Sequence, residues 1–217
     1  MSDSTTTAHN PYLQHHYAEM EQQVDAGKIG MWLFLATEVL LFGGLFVGFA
    51  IMSAKHHEAF KLAHEHLDRS LGALNTVVLL LSSFTMVMAV DSARHNRQKA
   101  LVWYLVATLT LAGVFLGVKY FEYSHKFHLG LLPGKYYAGG GEDAVGQAMF
   151  FSFYFMMTGL HGFHILGGIV VIAWLIRRSI RGVFTSAYNA PVDLAGLYWH
   201  LVDMIWIYLF PLLYLIG

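Results

Sequence analysis

Hydrophobic and polar positions follow one another along this chain in long blocks. Five blocks are almost wholly apolar, at about 30–52, 72–90, 100–121, 147–176 and 194–216. A helix of roughly 18–20 apolar residues is long enough to cross the hydrocarbon core of a bilayer. We therefore predict an all-α integral membrane protein, a bundle of five transmembrane helices over residues 28–217. A polar N-terminal tail, residues 1–27, precedes it.

Composition supports a membrane protein and narrows the chemistry. Hydrophobic residues make up 56% of the 217 residues and charged residues only 12%, about half the share of a soluble protein. The absence of cysteine excludes thiolate metal sites, iron–sulfur clusters and disulfides. A net charge of −1 argues against a nucleic-acid partner. The N-terminus shows no signal-peptide pattern, so we expect none to be cleaved.

The arginines predict the orientation in the membrane. All but Arg69 lie in two of the four connecting loops, 91–99 and 177–193: Arg94, Arg97, Arg177, Arg178 and Arg181. The positive-inside rule places these loops, and the N-terminus, in the cytoplasm. Five spans then put the C-terminus outside. The histidine-rich first loop (55–69) and the Gly/Pro-rich third loop, with its flexible "GKYYAGGGED", would face outward.

One carboxylate lies inside the first apolar block. Glu38, in "LFLATEVLLFGG", is about 12 Å along that helix. An ionised acid at this depth costs at least ~2.5–3.5 kcal/mol, so we expect Glu38 to be protonated or paired. Two interpretations stay open, a hydrogen-bonded acid that joins helices and a proton-handling group.

The last two spans carry polar pairs three residues apart. His161 and His164 lie in "MTGLHGFHILGG", and His200 and Asp203 lie in "YWHLVDMIWIYLF". Counting along the helices puts Glu38, His164 and Asp203 at comparable depths, about 12–18 Å from the cytoplasmic side. A polar layer inside the bundle would satisfy them all.

Three interpretations of these histidines compete: haem ligation, a metal site with histidine and aspartate ligands, and an interhelical hydrogen-bond network. The network is favoured, because two histidines three apart on one helix cannot both be axial ligands of one haem. A proton-coupled transporter built around Glu38 is a further alternative. It is disfavoured, because the sequence shows neither the internal repeat nor the pair of broken helices that are typical of that class. The tryptophans and tyrosines near span ends are typical of interfacial belts: Trp32, Trp103, Tyr104, Tyr120, Tyr123, Trp199 and Tyr214.

Five motifs together carry a family resemblance. They are "KIGMWLFLATEVLLFGGLF", "LNTVVLLLSSFTMVMA", "GVFLGVKYFEY", "TGLHGFHILGG" and "YWHLVDMIWIYLF". Their order and spacing over residues 28–210 resemble subunit III of haem–copper terminal oxidases, the cytochrome c oxidase subunit III family in its five-span bacterial form. The pairing of HGxH with YWHxVD in the final spans is the most specific element.

The resemblance implies a subunit with no catalytic residue and no metal or redox centre of its own. It would pack on subunit I, which holds the haems and a copper, beside other subunits including a subunit II. It would sustain proton uptake, protect against turnover inactivation and hold phospholipid in a cleft. Glu38 matches the family's carbodiimide-reactive acid, Arg178 a cleft-lipid-binding cation, and Glu122 a recurrent acid of the third span.

The resemblance leaves several points open. The mitochondrial form has seven spans and this chain has five, the family's usual glutamine near "EY" is Lys119, and Pro211 in the last span would bend or weaken that helix. A cytochrome c oxidase, a quinol oxidase and, more distantly, a nitric oxide reductase are all compatible with the sequence. Membership of a larger respiratory supercomplex is open too. The expected location is the bacterial inner membrane.

Overall fold

The computed structural model describes residues 13–137 and 143–215 of the chain. The ordered elements are α1 (Met20–Lys55), α2 (His57–His64), α3 (Arg69–Arg94), α4 (Gln98–His128), a 3-10 turn (Gly134–Tyr136), α5 (Ala144–Ile180) and α6 (Ala190–Tyr214). Five of these helices, all except α2, are long and apolar enough to cross a membrane. The predicted all-helical, five-span architecture is therefore confirmed. Residues 1–12 of the predicted tail and 138–142 of the flexible loop lie outside the described residues.

The helices are longer than the apolar blocks that predicted them. α1 has 36 residues and begins at Met20, inside the segment predicted as tail. Such a helix is about 54 Å long, whereas the hydrocarbon core is about 30 Å thick. Helices α1, α3, α4 and α5 extend beyond both ends of their apolar blocks, and α6 extends beyond the first end only. α6 likewise continues through Pro211 and ends only three residues later, because a proline in the final turn removes little of the helical hydrogen bonding.

Local signals account for several helix ends. Asp68 is the N-cap of α3, and its carboxylate accepts hydrogen bonds from the backbone N–H groups of Ser70 and Leu71 at 2.8 and 3.2 Å. This contact satisfies donors that the first helical turn leaves unpaired. Beyond the last turn of α5, Gly182 has φ +69°, a left-handed conformation that glycine adopts without steric cost. The chain reverses there toward α6.

The bundle is built around α6 and the pair α3–α4. α6 packs on α3, α5 and α1, and α3 packs along α4. α1 is peripheral, because its buried residues are a single seam of Leu35, Phe42 and Phe49. Glu38 falls on that seam, three residues after Leu35 and four before Phe42. The acid that looked isolated in the sequence therefore lies on the packing face of its helix.

Hydrogen bonds join the two arginine-rich loops at one end of the bundle. The Asn96 side chain donates to the Ser186 hydroxyl at 3.0 Å and accepts from the Ser186 backbone N–H at 2.7 Å. Gln98 also donates to the carbonyl of Phe184. The two loops thus share one side, as the arginine distribution predicts. Which side of the membrane this is remains a prediction.

At the other end, part of the predicted outer loop is the short helix α2, which packs on α5. Its last residue, His64, is buried. His64 Nδ1 lies 3.1 Å from the carbonyl oxygen of Leu213, and Arg69 Nη2 lies 3.0 Å from His64 Nε2. The contacts tie the loop to the start of α3 and the end of α6.

Only some of the tryptophans and tyrosines predicted as interfacial anchors are exposed. Trp32, Trp103 and Tyr120 are exposed on the surface of the bundle, as interfacial anchors must be. Trp199 and Tyr214 are fully buried, so for them the prediction is wrong. Both have polar partners inside the protein: Trp199 Nε1 donates to Ser82 at 3.0 Å, and the Tyr214 hydroxyl donates to Glu122 at 2.6 Å.

Candidate functional site: polar groups inside the helical bundle

Glu38 and His164 form a pair between α1 and α5. Glu38 Oε2 lies 2.8 Å from His164 Nε2, and both side chains are about one-eighth exposed, at 13% and 12%. Phe42 packs edge-on against the imidazole, with ring centroids 5.4 Å apart. The Tyr198 hydroxyl donates to the backbone carbonyl of His164 at 2.8 Å. The pair therefore stands where α1, α5 and α6 meet.

The hydrogen bonds of this pair indicate which ring nitrogen of His164 donates to the backbone. His164 Nδ1 lies 2.8 Å from the carbonyl oxygen of Leu160, and because a carbonyl only accepts, Nδ1 carries a hydrogen. Nε2 and Glu38 Oε2 lie at hydrogen-bond distance, with one of the two atoms as the donor. The carboxyl group of Glu38 is therefore hydrogen-bonded whichever atom is the donor, as expected for an acid inside an apolar helix.

His161 occupies a different environment from His164. It is fully buried, and its ring packs against Phe115 and Trp206 at centroid distances of 5.6 and 5.3 Å. Neither ring nitrogen has a hydrogen-bond partner within the described part of the chain. Three residues along a helix correspond to a rotation of about 60° between side chains. That is enough for His164 to face α1 while His161 faces α4 and α6.

His200 and Asp203 face α3. His200 Nδ1 lies 2.7 Å from the Ser83 hydroxyl. Asp203 is buried and lies close enough to Ser83 for an electrostatic interaction. No hydrogen bond of ordinary geometry reaches either carboxylate oxygen from the residues that the structure describes.

The predicted polar layer is therefore only partly correct. Glu38 and His164 bond to each other, whereas Asp203 is hydrogen-bonded to neither. Comparable depth does not bring side chains together, because α1 is peripheral and Asp203 lies on a face of α6 that is turned toward α3. Over residues 13–137 and 143–215, no three His, Asp or Glu side chains come close enough to share a metal ion. The histidines instead contact different helices.

A large cluster of polar side chains surrounds Glu122 of α4, at the end of the bundle away from the arginine-rich loops. Lys119 Nζ donates to Glu122 Oε2 at 2.8 Å, and Lys126 Nζ donates to Oε1 at 3.0 Å. The hydroxyls of Tyr154 and Tyr214 also donate to Oε1, at 2.9 and 2.6 Å. These five residues, the Glu122 cluster, are all buried. They connect α4 with α5 and α6.

The Glu122 cluster contains two cations and one anion, so the aromatic rings matter to its stability. Lys119 Nζ lies 4.7 Å from the centre of the Trp206 ring and 5.2 Å from that of Tyr214. Lys126 Nζ lies 4.9 Å from the Tyr154 ring. The negative face of an aromatic ring attracts a cation, by about 2 kcal/mol or more when both are desolvated. The rings thus offset part of the free-energy cost of burying two ammonium groups beside a single carboxylate.

The sequence predicted one member of this cluster, Glu122, and only from the family motif. The signal for the two lysines was present as the spacing K-x-x-E-x-x-x-K at 119, 122 and 126. Residues three and four apart share a helix face, and opposite charges there pair. Tyr154 and Tyr214 have no such local signal, because only the packing of α5 and α6 brings them to the cluster.

Arg178 lies near the end of α5 that adjoins the arginine-rich loops. Its guanidinium carbon lies 5.0 Å from the centre of the Trp174 ring, one turn earlier on the helix. No carboxylate pairs with Arg178 among the residues that the structure describes. An arginine stacked in this way keeps its charge and its planar N–H donors.

Comparison with known proteins links this arrangement to a family. The family model described as "Cytochrome c oxidase subunit III" matches residues 7–217. Among curated relatives, a protein of Staphylococcus epidermidis, described as "Probable quinol oxidase subunit 3", is 32% identical over 197 residues. The match covers 89% of this chain and 90% of that relative. A protein of Staphylococcus aureus with the same description is 32% identical over 195 residues, with the same coverage.

The match extends over the whole helical region, including Glu38, the two histidine-bearing spans and the Glu122 cluster. Five membrane-spanning helices and polar groups used in contacts between helices agree with it. This multi-pass membrane protein therefore belongs to the cytochrome c oxidase subunit III family, whose members are subunits of haem–copper oxidase complexes.

Proposed function

We propose that this chain is a non-catalytic accessory subunit of a proton-pumping haem–copper terminal oxidase. It packs directly on the catalytic subunit I, stabilises it and sustains its proton uptake. One observation carries the proposal. The cytochrome c oxidase subunit III family model matches residues 7–217, the whole helical bundle, and Glu38–His164, His200–Ser83 and Tyr154–Glu122 are contacts between its helices.

A complex that lacks this chain tests the proposal. Subunit I carries the redox chemistry, so its initial rate of oxygen consumption should survive removal of the chain, while activity should decline faster during sustained turnover. The measurement follows oxygen uptake by the intact and the depleted complex from the first turnovers until inactivation. An equal rate of decline in both, or no turnover from the start in a depleted complex that keeps its haems, would count against an accessory role.

The electron donor of the complex is a separate proposal. The relatives described as quinol oxidase subunits favour quinol, while the resemblance to the family as a whole admits cytochrome c. Electrons enter on other subunits, so the partner chains must decide. Copper analysis of the purified complex discriminates: a copper-bearing subunit II indicates a cytochrome c oxidase, and a subunit II without copper indicates a quinol oxidase. The proposed location is the bacterial cytoplasmic membrane, with the N-terminus in the cytoplasm and the C-terminus outside.

Phospholipid binding at Arg178 belongs to the same proposal, with Glu38 as the second candidate lipid contact. The cation stacks on Trp174 without a carboxylate partner among the described residues, so an anionic headgroup can pair with it. We expect Arg178→Ala to lower the anionic phospholipid that co-purifies with the complex. Arg181→Ala, three residues further and exposed, is the matched control. Lipid content that mass spectrometry finds equal in both variants would refute this assignment.

A further inference from the structure

A cavity lies between α1, α3 and α6, at the end of the bundle where the arginine-rich loops meet. Its volume is about 400 Å³, within the range of ordinary ligand pockets. α1 and α3 each pack on α6, and no comparable packing joins α1 to α3. The cavity is therefore the gap that these two helices leave on the surface of α6.

The lining of the cavity is divided between charge and hydrocarbon. Lys28 of α1 and Arg94 of α3 stand on its two sides, with Asp193 of α6. Trp32, Val87 and Leu197 form apolar wall. Lys28 lies just before the first apolar block and Arg94 just after the second, so both are at headgroup level. The apolar wall continues from them toward the middle of the membrane.

Both cations keep donors for a further ligand. Arg94 Nη2 donates to Asp193 Oδ2 at 3.0 Å, and Lys28 Nζ donates to Asp25 at 3.2 Å. A guanidinium has five N–H donors and an ammonium has three. The side chains of Lys28 and Arg94 are 56% and 59% exposed, so neither contact removes its cation from an approaching anion.

We propose that this cavity binds one anionic glycerophospholipid of the adjacent leaflet. Each cation has one carboxylate partner, Asp25 for Lys28 and Asp193 for Arg94, and each keeps further N–H donors that the oxygens of one phosphate diester can accept. The phosphate lies between Lys28 and Arg94, and an acyl chain lies along Trp32, Val87 and Leu197. The site is separate from Arg178 and rests only on the membrane location of the chain, so it stands or falls independently of the accessory role.

The test compares the phospholipid bound to the purified native complex across variants, by native mass spectrometry. The double variant Lys28→Gln/Arg94→Gln removes the charges, and Val87→Phe fills the apolar part while both charges stay. The controls are Arg97→Gln, an exposed cation at the same end that does not line the cavity, and Val77→Phe, an exposed valine elsewhere on α3. We expect both test variants to lose one anionic phospholipid per complex and both controls to keep it.

Two outcomes would overturn the proposal. An unchanged lipid count in Val87→Phe means that no lipid occupies the cavity. This test does not depend on whether the double variant assembles. Loss of lipid in Val87→Phe together with full retention in an assembled double variant means that the headgroup charge is not recognised. A photoreactive residue in place of Leu197 identifies the occupant: a cross-link to phosphatidylglycerol supplied in vesicles supports the site, and a cross-link to residues 1–12 of the chain instead contradicts it.

Discussion

Buried charge in this protein is most concentrated in the Glu122 cluster, where Lys119, Glu122 and Lys126 share one face of α4. Taking an ion out of water costs several kcal/mol, and pairing repays that cost only when the geometry is good. Here the carboxylate accepts from two ammonium groups and two hydroxyls at 2.6–3.0 Å. Three of these donors reach Oε1 and one reaches Oε2. The anion therefore carries more of the cluster's stability than either cation.

Glu122→Gln is expected to destabilise the subunit strongly, because two buried lysines then lose the carboxylate that pairs with both of them. Removing one partner of a buried pair typically costs about 3–5 kcal/mol. Lys119→Gln should cost much less, since it leaves one cation, one anion and both tyrosine donors in place. Thermal unfolding of the purified complex, together with the fraction of complexes that keep this subunit, measures both. Similar losses in the two variants would mean that the carboxylate is not the centre of the cluster.

Glu38→Gln is expected to preserve assembly and initial oxygen-consumption rates. His164 Nδ1 donates to Leu160, so Nε2 can accept a hydrogen bond from the glutamine amide, and the contact between α1 and α5 survives. Glu38→Leu removes that contact and should weaken assembly. Oxygen uptake and subunit content of both variants are the measurements. Complete loss of turnover in a fully assembled Glu38→Gln complex would show that the carboxyl group itself is required.

At the scale of single residues, the sequence predicted which polar side chains are buried. It predicted less well which of these side chains contact each other. Depth follows from counting along a helix, so Glu38 and His164 could be expected at one level, and they do pair. The direction of a side chain depends on helix rotation and on which helices are neighbours. Asp203 therefore bonds to neither of them, and Tyr214, predicted as an interfacial anchor, faces inward to Glu122.

Helices α5 and α6 pack closely at Gly168. A Cβ added at Gly168 would lie 2.5 Å from Cζ3 of Trp199, closer than atoms can approach. Trp199 is fully buried and cannot turn toward solvent. Gly168 thus sets the distance between these two helices, and through it the position of Tyr198 beneath the Glu38–His164 pair.

Gly168→Ala should lower the thermal stability of the subunit, because overpacking a core typically costs about 1–3 kcal/mol. Gly162→Ala on the same helix is the control. Nothing lies within 4 Å of its added Cβ, and alanine favours a helix over glycine by roughly 0.5–1 kcal/mol. Melting curves of both variants make the comparison. Equal stability of the two would mean that α5 and α6 separate without cost.

At the scale of elements, the apolar blocks predicted the number and order of the membrane helices because hydrophobicity alone decides which segments enter a bilayer. The same signal says little about where a helix ends in water. Residues 20–27 are helical although the sequence predicts a polar tail there, and residues 57–64 form α2 although the sequence predicts a loop. The ends of these elements depend on caps and tertiary contacts, such as the one from His64 to Leu213.

For the whole molecule, hydrogen bonds between Asn96 and Ser186 put both arginine-rich loops at one end, and the positive-inside rule assigns that end to the cytoplasm. The chain has no cysteine, so a single introduced thiol reports its own side. We expect a membrane-impermeant maleimide to label Glu65→Cys in intact cells and Ala187→Cys only after the membrane is opened. The reverse pattern would invert the topology.

The central claim is that this subunit supports redox chemistry that takes place in a larger partner. A reduced-minus-oxidised absorption spectrum, recorded on the complex purified from its native membrane and again after this chain has been stripped away, tests it most directly. We predict that the haem signal stays entirely with the partner and that the released chain is colourless. A released chain that keeps stoichiometric haem would contradict the account and make His161, His164 and His200 candidate ligands.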